Sequence, residues 1–185
     1  GSLYEYSFAP VSDPNWNKIT GGWSEGNAPY GSVASGYGGE NNFNYRTYWP
    51  ADGSDGIDLY VRKQINLSNY DLSSVRWYLG IDNGYELYVN GHLISSDNQE
   101  GYTYRWEYSG MIPAQYLNSG NNIIAVALED HGGVTAFDML ITGNRVANAN
   151  GIVWSTGATT PSITVSPAQT TTYYATVSNG IHSCS

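Results

Sequence analysis

The sequence predicts an all-β protein on three observations. Its apolar stretches alternate with a period of two, they are rich in Val, Ile, Thr and Tyr, and clusters of Gly, Asn, Asp and Ser bound them. No window sustains a 3.6-residue apolar period with caps, so helix is confined to one turn at Pro113 to Leu117.

In chain order, Tyr4 to Ala9 reads as the first strand. Between Ile19 and Asp58 the alternation stops and the chain carries Trp23, Tyr30, Tyr37, Phe43, Tyr45, Tyr48 and Trp49 among glycines and asparagines. Disordered segments are poor in aromatics, so this stretch reads as ordered loops laid over a sandwich, and long connections of this kind are commonly functional. Strands resume at Leu59 to Leu67, Val75 to Ile81 and Tyr85 to Val89, the last continuing past a turn to Leu93-Ile94. Asp82-Asn83-Gly84 and Asn90-Gly91 supply residues that tolerate positive φ, as tight hairpins require. Together they predict a meander over 75 to 94. The loops at 95 to 103 and 129 to 134 are then expected at one end of the sandwich and the Asp82 to Gly84 turn at the other. Tyr104 to Tyr108, Ile123 to Leu128 and Ala136 to Thr142 complete the set. Residues 1–143 are read as one β-sandwich and 144–151 as a polar linker. Residues 152–185 read as a Thr-rich β segment too short to be a sandwich alone, either the start of a further module or strands leaning on the first domain.

Charge narrows the partners. Seven Lys and Arg face 16 Asp and Glu, a net charge of -9. So few cations cannot neutralise many phosphates or hold an anionic membrane surface, which argues against nucleic acid and membrane docking. No apolar run approaches the roughly 20 residues that span a bilayer. Gly1-Ser2 reads as an expression remnant rather than the start of a signal peptide. Cys184 is the one cysteine and says nothing about redox compartment.

Several stretches together carry a family resemblance: Asp82-Asn83-Gly84-Tyr85-Glu86-Leu87-Tyr88-Val89-Asn90-Gly91, Leu117-Asn118-Ser119-Gly120-Asn121-Asn122-Ile123 with Ala125-Val126-Ala127, His131-Gly132-Gly133 and Phe137-Asp138. With Trp23 to Gly31 upstream, residues 3 to 143 resemble the galactose-binding-domain-like jelly roll attached to many bacterial secreted glycoside hydrolases and surface proteins. The tail, with Val153-Trp154-Ser155-Thr156-Gly157 and Thr171-Thr172-Tyr173-Tyr174, resembles the immunoglobulin-like repeats of large secreted Bacteroidetes proteins. The family's upstream cysteine partner for Cys184 is missing here. These resemblances imply an antiparallel jelly-roll β-sandwich, an extracellular multi-modular parent and, as in many such modules, a structural Ca²⁺.

The loop aromatics suggest a sugar platform. Pyranose C–H patches pack on Trp and Tyr faces, while hydroxyls need planar polar partners at the rim. One cluster is Tyr37, Tyr45, Tyr48 and Trp49 with Asn42, Asn44 and Arg46; a second is Tyr102, Tyr104 and Trp106 with Asp97, Asn98, Gln99 and Arg105. Tyr37, Arg46, Tyr48, Trp49, Asn98, Tyr102, Tyr104, Asp130 and His131 are the expected ligand-binding residues. Against this, loop aromatics also pin loops to a sheet, and Tyr60, Trp77, Tyr78, Tyr88, Trp106 and Phe137 sit in strand patterns that favour core or sheet-face roles, with Trp16 and Trp23 also leaning structural. Asp52, Asp55 and Asp58 in a Gly-rich loop are candidate Ca²⁺ ligands, with Glu129 and Asp130 as an alternative source, although the loop lacks the EF-hand spacing. Scattered His92, His131 and His182 argue against zinc. No nucleophile elbow, phosphate loop or dinucleotide motif is present.

The expected function is a non-catalytic carbohydrate-binding module that tethers a secreted, multi-modular protein to a polysaccharide or glycan. The alternative is a structural or adhesive spacer without a sugar ligand, and a small jelly-roll glycanase or lyase is the third option.

Overall fold

The computed structural model describes residues 2–8, 16–17, 23–32, 45–50, 56–98, 106–146, 152–178 and 183–184. The chain divides into two compact units, Gly1–Asn144 and Arg145–Ser185.

Unit 1 is a sandwich of two sheets. The six-stranded sheet contains β1 (Leu3–Ser7), β2 (Ser24–Asn27), β5 (Leu59–Asn66), β7 (Gly84–Val89), β8 (His92–Asp97) and β10 (Asn121–Glu129), in the order β2-β1-β5-β10-β7-β8. The five-stranded sheet contains β3 (Tyr30–Gly31), β4 (Thr47–Tyr48), β6 (Arg76–Asp82), β9 (Tyr108–Met111) and β11 (Ala136–Thr142), in the order β4-β3-β11-β6-β9. Every pair in both sheets is antiparallel except β3 with β4. The all-β class and the sandwich follow the reading of the sequence, and the turn at 113–117 contains a short 3-10 helix, Ala114–Tyr116.

Alternation builds the core. Leu59 and Val61 on β5, Leu87 and Val89 on β7, and Ile124, Val126 and Leu128 on β10 point inward and are buried. They meet Leu79 and Ile81 on β6 and Phe137 and Met139 on β11 in one cluster. Each such side chain contributes about 1.5–3 kcal/mol by leaving water. Cross-sheet rings close the layer: Tyr4 meets Phe137 edge-on at 5.9 Å and Trp77 meets Tyr85 at 6.2 Å.

Part of the outward face of the six-stranded sheet is covered too. On β10 this face is lowest at Ala125 and Ala127, between Tyr60 and Arg62 on β5 and Glu86 and Tyr88 on β7. Trp16 spans that low strip, edge-on to Tyr60 at 5.4 Å and to Tyr88 at 5.8 Å, and stacks on Trp23. Trp23 lies over the Arg62 guanidinium at 3.9 Å. Arg62 is buried, and it donates to the Glu5 carboxylate and to the Trp16 carbonyl, both at 2.8 Å. A desolvated cation therefore keeps a carboxylate and a carbonyl as partners.

Two expectations change. Asp82-Asn83-Gly84 is no hairpin: β6 belongs to one sheet and β7 to the other, so Asn83 carries the chain across the sandwich. The turn also stands at the same end as Asn98 and Glu129, because β7 and β8 together reverse the chain twice after it. Gly84 pairs with Glu129, and Asp97 with Tyr85. The Asn90-Gly91 hairpin between β7 and β8 holds, with φ of 50° and 82° at its two residues. Tyr104 to Tyr108 is not one strand through its end either; Trp106 has φ 64°, outside the extended region, and β9 begins after it.

Unit 2 is an antiparallel three-stranded sheet, β12 (Ile152–Trp154), β13 (Ala175–Ser178) and β14 (Ser183–Cys184), in that order. None of its described side chains is fully buried. Among the described residues no helix is long and apolar enough to cross a membrane.

Candidate functional site

The register brings the ends of seven strands together at one end of unit 1. Leu59 pairs with Leu128, Gly84 with Glu129, Ala136 with Asp82 and with Gly31, and Gly31 with Tyr48. Ser32, Pro50 and Asn98, which precede segments 33–44, 51–55 and 99–105, all stand here.

Hydrogen bonds to Asp130 organise this end. Its Oδ2 accepts from the Ile57 N–H and its Oδ1 from the Gly132 N–H, both at 2.9 Å, and it is 3% exposed. Its own N–H donates to Asp58 Oδ1 at 3.3 Å. Gly56, with φ 74°, passes so close that a Cβ would fall 1.6 Å from the Asp130 carbonyl oxygen. The Trp49 indole N–H donates to the Ile57 carbonyl, and Thr135 Oγ1 donates to the Trp49 carbonyl at 2.7 Å. Asn83 joins them: its N–H donates to the Glu129 carbonyl and its Oδ1 accepts from the His131 N–H, each at 3.0 Å.

Two expected ligand residues are thereby corrected. Trp49 has no exposed surface, so its ring cannot be a sugar platform. Asp130 is buried and its carboxylate holds two backbone N–H groups. Both pin the segment around Ile57 to the turn at 130–132.

The exposed candidates fall into two patches. Arg46 and Tyr48 lie on and beside β4, an edge strand of the five-stranded sheet. Tyr48 is 53% exposed and its ring leans on Tyr45 at 5.9 Å. Asn98 and His131 stand beside the end of the six-stranded sheet, where an open cleft of about 390 Å³ is lined by Tyr85, Glu86, Ser96, Asp97, Asn98 and Glu129. Tyr37, Tyr102 and Tyr104 lie outside the described residues, as do Asp52 and Asp55.

Gly84 packs closely against groups that line the cleft. A Cβ there would stand 2.8 Å from Asn98 Oδ1 and 3.2 Å from both the Asp97 carbonyl oxygen and Glu129 Oε2. Glu129 Oε2 also lies 3.4 Å from His131 Nε2. Glu86 accepts a hydrogen bond from the Tyr88 hydroxyl. The Tyr88 phenol is pushed up to about 12 by burial, by that hydrogen bond and by the Glu86 charge. Tyr60 is raised by burial first and then by Asp58, Glu129 and Glu86, a sign of the negative field around this corner. Burial also raises Tyr85, against a hydrogen bond with Ser95 Oγ that pulls it down, while the Asp97 charge adds to the rise.

The arrangement offers a row of oxygen acceptors, one amide and one hydroxyl in an open cleft. Glu86 went unassigned as a ligand in the sequence and Glu129 was weighed only as a Ca²⁺ ligand, although Glu86 alternates with inward Tyr85 and Leu87 and so had to face outward. Among the described residues no three His, Cys, Asp or Glu side chains come together as a metal site.

No protein-family model matches the chain, and no curated protein sequence matches it. Solved structures do. The Streptomyces avermitilis alpha-L-rhamnosidase complexed with L-rhamnose is 18% identical over 51% of this chain and 9% of that one, with a TM-score of 0.41. The Bifidobacterium dentium beta-glucuronidase complexed with coumarin-3-O-glucuronide is 12% identical over 69% and 19%, with a TM-score of 0.45. The PA14 sugar-binding domain from an RTX adhesin is 16% identical over 76% and 88%, with a TM-score of 0.37. The chain spans no more than a fifth of either glycosidase.

Proposed function

We propose that unit 1 is a non-catalytic carbohydrate-binding module whose glycan sits in the cleft between β7, β8 and β10. The observation that carries this reading is the cleft itself, open to solvent and lined by groups that pair with hydroxyls. Carboxylates accept from them, the Asn98 amide both donates and accepts, and the Ser96 hydroxyl does the same. Its size suits a small ring, within the range of ordinary ligand sites. Tyr102 and Tyr104, which follow Asn98 in the sequence, and Tyr37, which follows Ser32, are proposed as stacking rings. Arg46 and Tyr48 offer a separate contact on the five-stranded sheet. Asp52, Asp55 and Asp58 are proposed to hold a structural Ca²⁺. In an extracellular parent with further modules attached, contacts that are weak singly would tether it to a polysaccharide through effective concentration.

The test is titration of a panel of soluble oligosaccharides, followed by tryptophan fluorescence and calorimetry. Gly84→Ala sets a methyl 2.8 Å from Asn98 Oδ1 and so pushes aside an amide that lines the cleft. It is expected to weaken glycan binding at least tenfold while the melting temperature shifts by only a few degrees, and Asn98→Ala is expected to act in the same direction. An unresponsive panel overturns the proposal, and sugar release in a reducing-end assay overturns its non-catalytic half. The spacer reading draws on Trp49, which is tucked into the fold as a scaffold aromatic would be. It predicts that no oligosaccharide binds and that Gly84→Ala is silent.

A further inference from the structure

We propose that the edge of β5 from Lys63 to Asn66 accepts an extended peptide strand of a partner protein, at a place separate from the cleft. β1 runs beside β2 from Leu3 to Tyr6, but beside β5 only from Glu5 to Ser7. β5 itself continues to Asn66, held on its other side by β10. Past the pair of Glu5 and Arg62 the two strands part. An opening of about 440 Å³ lies there, with Leu3 to Glu5 on one side and Arg62 to Gln64 on the other. Main-chain groups alternate sides along a strand. Leu67 turns its N–H to the Gly120 carbonyl on the β10 side, so Gln64 and Asn66 turn theirs toward the opening. Among the described residues no backbone hydrogen bond answers them there.

A second cavity, of about 170 Å³, lies along the same stretch of β5 and is lined by Ile65, Leu67, Tyr70 and Ile141. Residues 62–64 border the first opening and 65–67 the second, so the unpaired edge passes both. An added strand would bond to Gln64 and Asn66 and, because its side chains alternate, set every second one toward the apolar cavity. The others would stand in the larger opening, beside Gln64 and Glu25. Charge in that opening balances, two carboxylates (Glu5 and Glu25) against two cations (Arg62 and Lys63). Recognition therefore falls to main-chain bonds and apolar fit. A hydroxyl can answer one such main-chain group, whereas a second main chain matches donors and acceptors that recur every two residues.

The probe is the peptide acetyl-Lys-Thr-Val-Thr-Leu-Thr-Val-Lys-amide, titrated into the whole chain at up to about 1 mM while amide exchange is followed by NMR. Binding is expected to slow exchange at Gln64 and Asn66. Two N-methylated versions decide the mode: methyls on the Val and Leu nitrogens block one edge of the peptide, and methyls on the Thr nitrogens block the other. One version should bind as the parent does, and the other about tenfold or more weaker. Gln64→Pro removes an N–H that takes no part in pairing with β10. It should shift the melting temperature by only a few degrees while weakening peptide binding about tenfold or more. Equal binding of both methylated versions means apolar contact without strand pairing and overturns the proposal, as does exchange at Gln64 and Asn66 that the peptide leaves unchanged. Self-association that protects the same two amides and is lost in Gln64→Pro would make the occupant a second copy of this chain, which overturns the partner strand.

Discussion

Trp49 and Tyr48 are neighbours with opposite fates, and the difference is the parity of one short strand. Tyr48 points out from the edge of the five-stranded sheet, whereas Trp49 turns inward and gives its N–H to the Ile57 carbonyl. A two-residue strand inside a glycine-rich stretch leaves no periodic trace, so nothing in the sequence separated the two rings. Trp49→Phe keeps a packed ring but strands the Ile57 carbonyl, and it is expected to cost about 1–3 kcal/mol in urea unfolding. Tyr48→Ala, on the exposed side, should stay within about 0.5 kcal/mol. Asp130 is the same lesson in a polar residue. It looked like a rim ligand because it follows a strand, yet Asp130→Ala removes the acceptor for two backbone N–H groups. A loss of about 2–4 kcal/mol, read from the urea midpoint, is the expected outcome.

At the scale of elements, the strands were legible wherever alternation ran for five or more residues, as in β5, β10 and β11. What alternation does not encode is which sheet a strand joins. Asp82-Asn83-Gly84 has the composition of a hairpin turn, and the same residues here cross between layers; only the partners of β6 and β7 distinguish the two. The Asn90-Gly91 turn was readable because positive φ at both positions needs those residue types. Gly56 makes a sharper demand. A side chain there meets the Asp130 carbonyl in a backbone conformation that already disfavours one, so Gly56→Ala should destabilise by about 3 kcal/mol or more. Gly91→Ala, at φ 82°, carries a conformational penalty and should lose about 1–2 kcal/mol, measured by the same unfolding curve.

For the molecule as a whole, the phenols set the alkaline limit. Tyr88 titrates near 12 in the fold against an ordinary 10, and burial raises Tyr4 and Tyr30 as well. Between those values the unfolded chain sheds protons that the folded chain keeps. Stability should therefore be flat up to about pH 9 and fall progressively from 10 towards 12, as melting temperatures across that range would record. Glu86→Gln removes the charge and weakens the hydrogen bond that help raise Tyr88, so part of the phenolate absorbance should move to lower pH. Unit 2 contributes no fully buried side chain among its described residues, and the acidic groups lie elsewhere in the chain. A chain ended after Asn144 is expected to keep its melting temperature within a few degrees. The single-residue passage at Asn83 bears on how unit 1 comes apart. Because consecutive strands alternate between layers there, neither sheet can be peeled away without unthreading the other. Native-state hydrogen exchange should accordingly find the slowest amides of β6, β7, β10 and β11 opening together, in one cooperative event that spans both layers.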